Sequence, residues 1–268
     1  MKLFTFTKVA SLTVCLISAA SLAQAQVISV NFYNNARGAD TAYAIDSAAG
    51  VANVGNWNNV LGGGGVNTGP GIVNGLLNNS GAATNAYINF QAGSDGVGGF
   101  SVWGLGVSSS EILSANSGLY NNYLNYFQNN GIVYIGGLGT EFTSLGYNVI
   151  VYFADQDPGW QSYSLTDTNN ITDTRYGRTL GGATDANSPF GGFVQSTATS
   201  AENATLSNYV VLSGFSGAGF YITGNAESGA RPAIAGFQIV AVPEPSTIAL
   251  AVLGAGAMLV VYRRRRQA

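Results

Sequence analysis

Histidine is absent from this chain of 268 residues, cysteine occurs once, and the only lysines are Lys2 and Lys8. Without histidine there can be no His-based catalytic triad and no His-ligated zinc or copper. The single cysteine, Cys15, falls in a segment read below as a leader, so a mature chain has neither a disulfide nor a thiol nucleophile. A lysine-free middle also excludes a Schiff base and a phosphate-binding loop of the GxxxxGK[ST] type. Charge of either sign is scarce, at 9% of residues. Amides and hydroxyls must therefore supply most of the polar surface.

The two ends are not fold. Lys2 and Lys8 precede an apolar stretch over residues 9–22, and Ala23-Gln24-Ala25 follows as a small-x-small site. That layout is a secretory signal peptide, residues 1–25, with cleavage after Ala25. At the other end, residues 247–262 carry no charge. A helix of that length spans about 24 Å, against a hydrocarbon core of about 30 Å. Arg263, Arg264, Arg265 and Arg266 stand where a cytoplasmic flank belongs. Pro243 and Pro245 stop a helix from continuing upstream, so a transmembrane helix is expected over about 246–262.

Pro243-Glu244-Pro245, the short apolar helix and the arginine cluster together resemble the PEP-CTERM sorting signal. The resemblance covers residues 242–266 only. It implies recognition by a membrane protease of the exosortase type, after passage through the export machinery. It also implies a membrane-anchored precursor, cleavage close to Pro243-Glu244-Pro245, and delivery to the cell envelope or the extracellular matrix. The exopolysaccharide of such cells is the matching partner. The alternative is a plain single-pass anchor that stays uncut.

Between the ends lies an expected ectodomain, residues 26–242, followed by the sorting segment 243–268. Four arginines (Arg37, Arg175, Arg178, Arg231) face twelve carboxylates there, a net charge of −8. Such a surface has no footprint for nucleic acid or anionic lipid. The 37 glycines would suit disorder, but the 14 tyrosines, 13 phenylalanines and recurring β-branched runs do not.

Period-two patterning predicts about ten short strands. The first is VISVNFY at Val27–Tyr33 and the last is AGFQIVAV at 235–242. The best core strand is YNVIVYFA at 147–154, with Val149, Val151 and Phe153 on one side and Ile150 and Tyr152 on the other. Residues 54–75, rich in Gly and Asn, read as loops carrying one short strand. One helical segment is expected over about 108–130, where Ser108 and Glu111 have capping-box spacing and Leu119, Tyr123, Tyr126 and Phe127 recur at helical intervals. The expected class is all-β: a single β-sandwich, jelly-roll-like, whose first and last strands pair antiparallel.

Candidate sites are sparse. Asp155 and Asp157 in ADQDPGW could offer oxygens to calcium, and DTNNITD at 167–173 is a second oxygen-rich loop. Trp160, read as a loop residue, and Trp57, between two asparagines, are candidate stacking platforms for a glycan, whereas Trp103 reads as core. Asp155, Asp157, Glu111 and Glu141 leave a carboxylate-based glycan hydrolase or lyase open. The leading expectation is a non-catalytic surface or matrix protein without a resident cofactor. A carbohydrate-binding module around Trp160 is the second reading.

Overall fold

The computed structural model describes residues 25–33, 45, 47–61, 71–91, 101–104, 117–120, 122–125, 132–153, 159–179, 192–228 and 233–243. The expected signal peptide (apart from Ala25), the expected helix at 246–262 and the four terminal arginines lie outside these residues. Among the described residues, no helix is long and apolar enough to cross a membrane.

Almost every regular element is a strand, as the β-branched and aromatic runs require. The first six-stranded sheet contains β1 (Val27–Tyr33), β2 (Asn58–Leu61), β8 (Tyr147–Tyr152), β11 (Gln195–Ser196), β12 (Tyr209–Phe215) and β15 (Gly236–Ala241), in the order β11-β12-β8-β15-β1-β2. The second contains β3 (Gly71–Asn74), β4 (Tyr87–Gln91), β7 (Ile132–Gly136), β9 (Gly159–Asp167), β10 (Thr172–Thr179) and β13 (Phe220–Ser228), in the order β10-β9-β13-β7-β4-β3. A small sheet joins β5 (Ser101–Gly104), β6 (Asn122–Asn125) and β14 (Ala233–Ile234).

The first and last strands do pair antiparallel, Val27 opposite Val240 and Asn31 opposite Gly236. At the C-terminal end of β15, Ala241 N–H donates to Gln26 O beside β1 and Val242 N–H donates to Gly146 O beside β8, 2.8 Å. Pro243 has no N–H, so the ladder stops there. Residues Gln26–Val242 thus form one compact unit.

One hydrophobic core serves both large sheets. Ile28, Val30, Phe32, Val149, Val151, Phe237 and Ile239 of the first pack with Ile88, Val133, Ile135, Tyr163, Leu165, Phe220 and Ile222 of the second. Ring contacts cross the interface: Phe32 meets Phe90 edge-on at 6.3 Å, and Phe153 stacks on Tyr163 at 5.2 Å. Each such side chain, buried fully, contributes about 1.5–3 kcal/mol. β8 is buried on both faces, with the division read from sequence. Val149, Val151 and Phe153 enter the shared core, while Ile150 and Tyr152 join a second cluster with Ile45, Ala49, Trp57, Leu119, Tyr209, Ala233 and Ala235. That second cluster roofs the outer face of the first sheet.

The expected helix over 108–130 is corrected. Of its residues the described ones are 117–120, a single helical turn, and 122–125, which are strand β6. Leu119 and Leu124 are both buried, but five residues apart they anchor a turn and then a strand. β6 pairs with both β5 and β14, and those ladders outweigh the helical spacing of the aromatics. The segment read as loops with one strand contributes two, β2 and β3.

Candidate functional site

Trp160 is not a loop residue. It is the second residue of β9, directly opposite Arg178 of β10. The Arg178 guanidinium carbon lies 5.2 Å from the indole centroid, a cation–π contact over a half-buried ring. Trp57 lies in the second cluster, 5% exposed, tilted against Tyr152 at 6.3 Å, and its indole N–H donates to Val54 O at 2.9 Å. A ring held there presents no face to a ligand. Trp103 is on β5, as a strand residue. Asp155, Asp157 and Glu111 lie outside the described residues. Among the described residues, no group of three or more Asp or Glu side chains gathers as a metal site.

The second oxygen-rich loop has a structural occupation. Asp167, 2% exposed, ends β9. One carboxylate oxygen accepts the backbone N–H groups of Asn169 and Ile171, both at 2.9 Å. The other accepts those of Ser216 and Gly217, at 3.1 and 2.9 Å. Burial acts to raise this carboxyl, but the four N–H bonds outweigh it and hold it below the usual range. Asn170 takes a left-handed φ of 62° to close the turn. Gly217 is required by close approach, since a Cβ there would sit 2.5 Å from Thr168 Oγ1. The carboxylate therefore ties the β9–β10 hairpin to the β12–β13 turn, with its acceptor sites filled by the chain itself. Asp173 pairs with Arg175 at 2.9 Å, and Glu141 is exposed on a one-turn helix.

The most unusual surface is the outer face of the second sheet. Core residues alternate with outward ones along each strand, so cross-strand partners share that face. Tyr221 of β13 stands opposite Tyr134 of β7 and opposite Thr166 of β9. Tyr134 in turn stands opposite Asn89 of β4, and Tyr87 opposite Gly136. The Tyr134 and Tyr221 rings lie 4.6 Å apart at 39°, and Tyr87 and Tyr134 lie 5.9 Å apart. Burial, then the hydrogen bond to the Tyr87 hydroxyl, raises the Tyr134 phenol above its ordinary value. Beside them run hydroxyl pairs, Ser164 with Thr174 at 2.8 Å and Thr166 with Thr172 at 2.9 Å. Asn89 Oδ1 is buried without a hydrogen-bond partner.

Sequence reading missed this platform because its tyrosines come from three strands far apart in the chain. Only the register brings them together. Gly136 gives Tyr87 its seat, since a Cβ there would lie 2.5 Å from the ring's Cζ. Gly136→Val should lift Tyr87 and destabilise the protein by about 1–3 kcal/mol, read as a lowered urea midpoint at unchanged slope.

The motif beyond Pro243 has a counterpart among known families. The family model of the PEP-CTERM protein-sorting motif matches residues 241–266. The match begins with the last residue of β15, so the motif starts where the sheet ladder stops. A search of curated proteins finds no match to the chain, and neither does a search of solved structures.

Proposed function

We propose that this chain, which carries a PEP-CTERM sorting motif at residues 241–266, is a non-catalytic protein of the cell surface or extracellular matrix that associates with polysaccharide. The motif marks it as an exported, envelope-sorted protein and a substrate of an exosortase-type protease. The two sheets form a jelly-roll-like sandwich that serves as the delivered scaffold, a reading supported by their shared core and the pairing of first and last strands. The observation that carries the polysaccharide part is a face of tyrosines, hydroxyls and amides on a domain otherwise rich in carboxylates. Trp160, with Arg178 on one ring face, lies on the same side of β9, beyond the buried Ser162. Calcium at Asp155 and Asp157 is compatible with this role and is tested by adding chelator to the binding measurement.

The test is native affinity electrophoresis of the full chain in detergent, through gels containing neutral or acidic polysaccharides. Retardation by at least one polymer, with no shortening of that polymer on prolonged incubation, is expected. Free migration in every gel removes the polysaccharide association. Release of shorter chains from a polymer means a hydrolase or lyase instead.

A further inference from the structure

We infer that the outer face of the second sheet, centred on Tyr87, Tyr134 and Tyr221, is a binding platform for a neutral, extended polysaccharide. This rests on the polysaccharide reading above and gives it a site and a ligand class.

The two large sheets treat their outer faces differently. On the first sheet, the apolar residues Ile150, Tyr152 and Tyr209 face outward, but Ala49, Trp57, Leu119 and Phe193 cover them. Packing accounts for each of these side chains. On the second sheet Tyr221 is 46% exposed at the end of a row with Tyr134 and Tyr87, and on the edge strand β3 Ile72 is 60% exposed. Solvent-facing sheet surfaces ordinarily carry charged residues. The open outward positions centre on Tyr87, Asn89, Tyr134, Tyr221, Ser164 and Thr166, while Ser162, on the same side of β9, is buried. Among the described residues, the carboxylates Glu141, Asp167, Asp173 and Glu202 are not on this face.

Aromatic faces beside fixed amides and hydroxyls match the chemistry of a pyranose, which has C–H faces and an equatorial rim of hydroxyls. The hydroxyl pairs are already hydrogen-bonded to each other, so they are oriented before a ligand arrives. Asn89 stands opposite Tyr134 on this face, its Oδ1 buried beneath the surface without a hydrogen-bond partner. The charge balance selects the polymer. A net charge of −8 repels an acidic polysaccharide, and the described cation on this face, Arg178, is engaged with the Trp160 ring. Geometry selects an extended ligand. Across the strands from Asn89 through Tyr134, Tyr221 and Thr166 to Thr172, the face runs for about 19 Å. A single sugar would cover only a fraction of that length.

The test compares the wild-type full chain with Tyr134→Ala, Tyr221→Ala and Tyr221→Trp by affinity electrophoresis. The probes are hydroxyethylcellulose and galactomannan as neutral polymers and alginate as the acidic one. Leu145→Ala removes an exposed apolar residue in a turn away from this face and is the control. Retardation by a neutral polymer is expected for wild type, Leu145→Ala and Tyr221→Trp. Each alanine variant at Tyr134 or Tyr221 should bind about tenfold more weakly, with unchanged far-UV circular dichroism. Neutral-polymer binding that is unaltered in both alanine variants overturns the platform and leaves the polysaccharide reading standing. Retardation by alginate alone overturns the ligand class. A wild-type dimer that Tyr221→Ala dissociates, without polymer binding, assigns the face to a second copy of the chain and also overturns the inference. Wild type migrating freely in all gels removes the underlying reading itself.

Discussion

Asp167→Asn should destabilise the folded domain by about 3 kcal/mol at pH 7. The substitution keeps the shape and removes the charge. It also turns an amide N–H₂ toward two of the four backbone N–H groups that now bond the carboxylate. Those donors are then left in a buried site without acceptors. The pH dependence identifies the cause. Because the folded carboxyl titrates below its unfolded value of about 3.9, its contribution is fully present above about pH 4 and is lost as pH falls through the lower, folded value. The gap between wild type and Asp167→Asn should accordingly be widest near neutral pH and narrow below about pH 4. Urea unfolding of both proteins at several pH values measures it. A gap that stays constant down to pH 2 would assign the loss to packing rather than to the carboxylate.

Replacing Arg263, Arg264, Arg265 and Arg266 by serine should leave nearly all of the protein unprocessed. An apolar run over 247–262 is short for a bilayer, so its register depends on what holds its ends. On the expectation that this run spans the bilayer, each arginine placed at the bilayer centre would cost about 2.5–3.5 kcal/mol, which would pin the cluster on the cytoplasmic side. With serines that constraint disappears, and the Pro243-Glu244-Pro245 segment is no longer held at a fixed depth on the opposite side. Fractionation with intact-mass analysis decides the matter. Wild type should appear as a shortened form outside the inner membrane, and the variant as a longer membrane-bound form. Equal mass and distribution of the two proteins would contradict a role for the arginines in sorting.

Local patterns in the chain translated well into strands and poorly into surfaces. Val27–Tyr33 and the two-sided burial of Val149 to Phe153 were legible because period-two alternation reports directly which face is buried. The helix expected over 108–130 failed where Leu119, Tyr123, Tyr126 and Phe127 have helical spacing but β5 and β14 supply strand partners for β6. Tertiary pairing overrode a local period. Trp160 reads as a loop residue because Pro158-Gly159 precedes it, yet the ladder with Arg178 extends the strand to Gly159. The tyrosine platform could not be read at all. Tyr87, Tyr134 and Tyr221 are 47 and 87 residues apart in sequence, and only sheet register makes them neighbours. The sorting segment was the most legible part, since its information is composition and order along a single stretch.

Hydroxyl-radical footprinting of the full chain with and without a bound neutral polysaccharide tests the platform most directly. Tyr221, Tyr134 and Trp160 should lose reactivity in the presence of polymer, while Val51, exposed on the turn over the other sheet, should keep its own. Unchanged labelling of Tyr221 under conditions where the polymer is bound would contradict the assignment of that face.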